Sequence, residues 1–142
     1  MTTPNPTPAE LRKILRETRT VAVLGASDNP SRPSHDVFAY LARHSHYQLY
    51  PVNPNITDVG GIAAYPRLAD LPVTPDMVDV FRRYQDLPEV LDEILALDPP
   101  PRYLWLQQGL RHEPVAERAR AAGLTVVMDR CLKVDYARLT AD

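Results

Sequence analysis

The chain has 142 residues, the span of one ordinary domain. Its 16 basic and 18 acidic residues leave a net charge of −2, so no cationic excess exists to track a nucleic-acid backbone. The single cysteine, Cys131, excludes an internal disulfide and a CxxC zinc site, and no apolar run approaches the ~18–20 residues that cross a bilayer.

The first six residues, Met1 to Pro6, carry neither a basic nor an apolar stretch of the kind that forms a signal peptide. The expectation is one cytoplasmic domain over 1–142, with a polar tail over 1–8, a C-terminal tail over 134–142, and no nucleic-acid or membrane partner. Thr7-Pro8-Ala9-Glu10 reads as a capping box with proline in the first helical turn, and Leu11, Ile14 and Leu15 continue it at helical spacing. Thr20–Leu24 is a continuous apolar run suited to a strand buried on both faces. It ends at Gly25-Ala26-Ser27-Asp28-Asn29-Pro30, a loop of turn formers, and a helix is predicted from Pro33 to Arg43.

Tyr47–Val52 reads as a second strand and Met77–Phe81 as a third, while Ile62–Tyr65 between them gives no clear signal. Leu87, Val90, Leu91, Ile94 and Leu95 follow the template of an amphipathic helix capped by Asp86. Tyr103–Leu106 forms a fourth strand, a helix runs from about Glu113 to its stop at Gly123, and Thr125–Met128 forms a fifth strand. Strand–helix alternation with short links predicts an α/β fold, a Rossmann-like doubly wound parallel sheet of five strands, in the order 3-2-1-4-5.

Open α/β sheets bind ligands beyond the carboxyl ends of their strands. Those ends are Gly25-Ala26-Ser27, Asn53-Pro54, Phe81-Arg82-Arg83, Gln107-Gln108-Gly109 and Asp129-Arg130-Cys131. Gly25 allows close backbone approach, Ser27 offers a hydroxyl, and the helix starting at Pro33 turns its positive end to the same loop beside Arg32. A nicotinamide dinucleotide is disfavoured, because the loop has one glycine of the expected three and no carboxylate lies between Ser45 and Thr57 to hold a ribose.

Six blocks in order carry a resemblance: Val23–Ser27, Arg32-Pro33-Ser34, Tyr50–Pro54, Val78–Arg82, Trp105–Gly109 and Val127–Cys131. Together, from about Thr20 to Lys133, they resemble the small stand-alone CoA-binding proteins, which are similar to the CoA-binding domain of the succinyl-CoA synthetase α subunit. The resemblance implies coenzyme A, or an acyl-CoA, at the strand ends. Gly25, Ala26 and Ser27 would then lie against the phosphates with Arg32 and Ser34 beside them, and Asn53 and Pro54 would line the nucleotide. Val80, Phe81 and Arg82 would flank the adenine or the pantetheine arm, with Gln107 and Gly109 near the arm. The chain lacks the second domain of the synthetase that carries its phosphorylated histidine, so the ligase reaction is not implied.

A binding or sensing module without chemistry of its own is therefore the first expectation. The alternatives are an enzyme acting on CoA thioesters or disulfides through Cys131, with Arg130 and Lys133 favouring its thiolate, and an NAD(P)-binding regulator. His35 and His112 sit beside the proposed loops as phosphate contacts, Asp129–Arg130 reads as an internal ion pair, and Asp79 is expected to pair with backbone or an arginine. A homodimer stays open.

Overall fold

Apolar side chains alternate along the strands so as to feed two separate cores, one on each face of a single sheet. The computed structural model describes residues 4–141. In chain order it contains α1 (Pro8–Glu17), β1 (Thr20–Leu24), α2 (Pro33–His44), β2 (Gln48–Val52), β3 (Asp58–Val59), β4 (Ile62–Ala63) and β5 (Met77–Val80). There follow α3 (Leu87–Leu95), β6 (Tyr103–Leu106), α4 (Glu113–Ala121), β7 (Thr125–Val127) and α5 (Leu132–Leu139). On one face Ala22, Leu24, Val78, Val80, Leu104 and Leu106 pack against Leu87, Val90, Leu91 and Ile94 of α3 and Val115, Ala116 and Ala119 of α4. On the other, Val21, Val23, Met77, Trp105 and Val127 meet Leu11 and Leu15 of α1, Val37, Phe38 and Leu41 of α2, and Leu132 of α5. Strands buried on both sides account for the unbroken apolar runs.

All five main strands are parallel, in the order β2-β1-β5-β6-β7. Counted as five parallel strands this is 2-1-3-4-5, which corrects the expected 3-2-1-4-5. The reason lies in Pro51, which has no N–H to give a second neighbour and so belongs in an edge strand. In place, β2 pairs with β1 on one side only, with Val23 opposite Pro51. Its outer edge is covered by Tyr65, whose N–H donates to the Pro51 carbonyl at 2.9 Å and whose carbonyl accepts from Asn53 N–H at 2.9 Å. The segment without a clear signal is a small antiparallel hairpin, β3–β4, turned through Gly60 and Gly61 at φ 57° and 88°, the left-handed backbone of a two-residue hairpin loop.

Both tails are corrected as well. Leu132, Tyr136 and Leu139 lie on one side of α5 and pack on the second core, so the expected C-terminal tail is a helix through Leu139. At the other end Asn5 donates to the Met128 carbonyl and accepts from its N–H, both at 2.8 Å, extending the edge beyond β7. Residues 1–3 of the polar tail and residue 142 of the C-terminal one lie outside the described residues. The capping box of α1 forms as read, Glu10 N–H donating to Thr7 Oγ1 at 3.2 Å and Thr7 N–H to Glu10 Oε1 at 2.9 Å. Asp86 precedes α3 without capping it; its carboxylate takes Arg83 instead, at 3.0 Å.

Asp79 sits in β5 between Val23 and Trp105 of the neighbouring strands, fully buried, and neither carboxyl oxygen has a hydrogen-bond partner. The expected pairing with backbone or arginine is not made. Desolvation therefore holds its pKa well above the usual 3.8. The unfolded chain releases this proton near 3.8 while the native chain keeps it, so the group's contribution is fully present below that pH and is lost as pH rises toward the native pKa. Asp79→Asn removes the titration while leaving an uncharged side chain of equal size. Its stability relative to wild type should climb by up to about 1.4 kcal/mol per pH unit above pH 4. Urea unfolding of both chains at pH 5 and pH 8 measures this; an equal difference at the two pH values would mean that Asp79 is ionised in the fold.

Gly25 closes β1 at φ 89°, and a Cβ placed there would lie 2.1 Å from the Phe81 carbonyl oxygen. Phe81 N–H is itself bound to the Leu24 carbonyl at 2.8 Å, so the neighbouring strand cannot retreat without breaking the ladder. Gly25→Ala should cost at least about 2 kcal/mol, as left-handed strain of ~1–2 kcal/mol adds to the clash. Denaturant titration of the variant reads that loss directly.

Candidate functional site

Placing β5 beside β1 puts the reversal of strand order between these two strands, and ligands of such sheets sit at that point. A cleft of about 860 Å³ lies there, at the carboxyl ends of the strands. Its floor and walls are the ends of β1 (Leu24, Gly25, Ser27), β2 (Val52, Asn53, Pro54), β5 (Phe81, Arg82, Arg83) and β6 (Gln107, Gln108, Gly109), with Arg32, Pro33 and Ser34 at the start of α2. Of the residues singled out from sequence, Gly25, Ser27, Arg32, Ser34, Asn53, Pro54, Phe81, Arg82, Gln107 and Gly109 all line it.

Ala26 and Val80 do not. The Ala26 side chain is fully buried in the α1–α2–α5 core and Val80 in the α3–α4 core. Gly25 also serves differently from a phosphate donor, since its N–H is bound to the Val52 carbonyl at 3.0 Å. What it contributes is an absent side chain, which lets β1 turn against Phe81 and leaves bare backbone on the cleft.

The loops around the cleft are held by their own polar side chains. Asn53 Nδ2 donates to the Ala26 carbonyl at 2.8 Å and its Oδ1 accepts from Asn55 N–H at 2.8 Å, tying the exit of β2 to that of β1. Asn29 N–H donates to Ser27 Oγ at 3.0 Å, and Ser31 N–H to Asn29 Oδ1 at 3.0 Å, which winds the chain into α2. Asp129, at φ 59°, accepts from Gly109 N–H at 2.7 Å and so fixes the β6 loop from the next strand. Arg130 is not its ion partner: the guanidinium forks onto the buried Asp135, with Nη2 2.9 Å from Oδ1, and that pairing raises the Arg130 pKa.

Charge within the cleft runs against that of the chain. Four arginines, Arg32, Arg67, Arg82 and Arg83, line it against two carboxylates, Asp86 and Glu93, in a chain whose net charge is −2. The arginines are loosely committed. Arg82 Nη2 stands 3.8 Å from Asp86, and Arg67 and Arg83, both more than two-thirds exposed, pair with Asp70 and Asp86 three residues along. Exposed pairs of this kind contribute little, so an anion can take their place. The start of α2 has no side-chain cap and opens toward the same space.

Sequence reasoning missed Asn55, Pro66, Arg67, Glu93 and Leu110. The first three come from the stretch around the β3–β4 hairpin, where short strands give no periodicity, and Glu93 reads in sequence as an ordinary exposed helix position. Cys131, His35 and His112 are absent from the lining. Cys131 is half-buried against the second core, and the nearby cations are engaged elsewhere, Arg130 with Asp135 and Lys133 with Asp36 at 2.9 Å. His112 precedes α4, its Nδ1 accepting from Val115 N–H at 3.2 Å while its ring stacks on Tyr84. No helix among the described residues is long and apolar enough to cross a membrane.

Comparison with known proteins agrees with this architecture. The chain is 40% identical over 133 residues to the uncharacterized protein YneT of Bacillus subtilis, covering 94% of this chain and 96% of that one. The solved structure of cell-free ID.343 from Thermus thermophilus superposes with a TM-score of 0.87 at 42% identity, over 94% of this chain and 99% of that one. A 59-residue stretch, 42% of this chain, is 34% identical to the α subunit of the ADP-forming acetate–CoA ligase II of Pyrococcus furiosus, of whose length it covers 13%. The family model of the CoA binding domain matches residues 19–137, and the chain belongs to that family.

Proposed function

We propose that the cleft binds coenzyme A or an acyl-CoA and that the chain acts as a binding or sensing module without chemistry of its own. The observation that carries this reading is the set of four arginines that line one cleft together with an uncapped helix start, at the strand-order reversal of a chain that is otherwise acidic. A ligand with several phosphates matches that charge, and guanidinium forks suit phosphate oxygens. The rest of the lining, Leu24, Val52, Phe81, Leu110 and the prolines, suits the apolar and amide stretches of the same ligand. The family supports coenzyme A as the molecule that joins these two requirements.

Two features weigh against the alternatives. Cys131 lies outside the cleft lining, which removes the chain's one thiol from a thioester or disulfide held there. At the end of β2, where a nicotinamide dinucleotide is held by a carboxylate, the chain has Asn53, whose amide is already engaged with Ala26 and Asn55.

Titration calorimetry with coenzyme A, acetyl-CoA, dephospho-CoA and NAD tests the reading. Coenzyme A should bind and NAD should not, with coenzyme A affinity falling as salt is raised. Arg82→Ala should weaken coenzyme A binding about ten- to hundredfold, the loss of one charge-assisted hydrogen bond worth ~1.5–3 kcal/mol. Unchanged affinity would put Arg82 outside the phosphate site, and binding of NAD in preference to coenzyme A would overturn the reading. Ser27→Ala should cost no more than about tenfold, since its hydroxyl is neutral.

A further inference from the structure

The stretch of cleft wall made by Gln107, Gln108, Gly109 and Leu110 is a single β-turn. Leu110 N–H donates to the Gln107 carbonyl at 2.9 Å, and Gly109 stands at φ 91°. Among the described residues only Asp129 and the glycines have positive φ, so Gln108 does not, and the turn is of type II. Its central peptide joins Gln108 to Gly109 and can flip, because glycine accepts the type I turn as readily. A flip leaves both ends of the turn in place while exchanging the Gly109 N–H and the Gln108 carbonyl between its two sides. This part of the wall is therefore an element with two states.

Asp129 chooses between the states. From the exit of β7 it grips the turn twice, its N–H donating to the Leu110 carbonyl at 2.9 Å and its Oδ1 accepting from Gly109 N–H at 2.7 Å. In the flipped turn the Gln108 carbonyl would face that carboxylate, two acceptors with no hydrogen between them. The grip requires Asp129 at φ 59°, a left-handed backbone uncommon outside glycine. Both neighbours pin it there: Asn5 takes the N–H and the carbonyl of Met128 at 2.8 Å, and Trp105 Nε1 donates to the Arg130 carbonyl at 2.8 Å. Asp129 itself is absent from the cleft lining, and a strained residue so firmly bracketed beside a cleft points to a role there.

We infer that Asp129 is a positioning residue of the cleft, holding the 108–109 peptide in the orientation that coenzyme A binds without touching the ligand. The inference rests on the coenzyme A reading above. A wall already set costs the ligand no reordering. A wall free to flip offers the binding orientation part of the time, and the affinity falls by that fraction.

Two substitutions separate the grip from the charge. Asp129→Gly and Asp129→Asn remove the same negative charge and both suit a left-handed backbone, but only asparagine keeps an oxygen for Gly109 N–H. For each chain, calorimetry gives the coenzyme A affinity and NMR gives the exchange rate of the Gly109 amide hydrogen without ligand. Asp129→Gly should bind coenzyme A about tenfold more weakly, with faster exchange at Gly109. Asp129→Asn should stay within about threefold of wild type in both readings. Equal affinities of the two variants would overturn the inference and leave the coenzyme A reading intact, since the lost charge would then be the whole effect. Wild type that binds no coenzyme A would bring down that reading, and this one with it. Unliganded melting midpoints are measured alongside. Should Asp129→Gly not fold, Gly109→Ala takes its place: its methyl meets no neighbour, yet φ 91° is strained for alanine and favours the flipped turn. Coenzyme A affinity of Gly109→Ala equal to that of wild type would likewise overturn the inference.

Discussion

The close approach of Gly25 to the Phe81 carbonyl is the constraint on which the shape of the cleft depends. Parallel strands lie ~4.8 Å apart, and β1 must turn outward immediately at its end to release the loop that leads to α2. It does so against the backbone of β5, with 2.1 Å between that carbonyl oxygen and the position a Cβ would take. Because β1 is tied to β5 here, the strand order reverses here, and helices depart to opposite faces on either side. The cleft is the space those diverging connections leave.

Two kinds of polar interaction divide the work around that space. Side chains such as the half-buried Asn53, the exposed Asp129 and the Arg130–Asp135 fork bind backbone or each other and lock the loops to neighbouring strands. Three of the arginines on the cleft itself, Arg67, Arg82 and Arg83, are exposed and paired with local carboxylates that water screens. Rigid loops with loosely held cations are what an anion site needs, since the frame costs no reordering on binding while the cations are free to exchange partners. Asp79 is the exception to this economy of polar groups: a carboxyl buried between Val23 and Trp105 without a hydrogen-bond partner, whose pKa that burial raises well above the usual value.

Most of the fold could be read from residue spacing. The strands with continuous apolar runs, the capping box at Thr7 and Glu10, and the helices beginning at Pro33, Leu87 and Glu113 all stand where local chemistry placed them. Two further signals lie in the sequence. Pro51 marks β2 as an edge strand, which excludes the order that would have put it inside the sheet. Leu132, Tyr136 and Leu139 carry the helical spacing of α5. The β3–β4 hairpin is different in kind, since strands of two residues hold no periodicity to detect.

The same division runs through the site. Residue identity alone determined which types of group stand at the strand ends, because a strand must end in a polar turn and the residues after it are next in the chain. It could not assign side-chain direction, and so Ala26 and Val80 were grouped with neighbours that face the cleft while their own side chains fill the two cores. Nor could it bring Arg67 from the hairpin region or Glu93 from α3 to face residues of β5. Those meetings depend on which strand lies beside which. That is decided by packing across the whole sheet, where residues distant in sequence compete for the same neighbours and only the folded chain determines which of them meet.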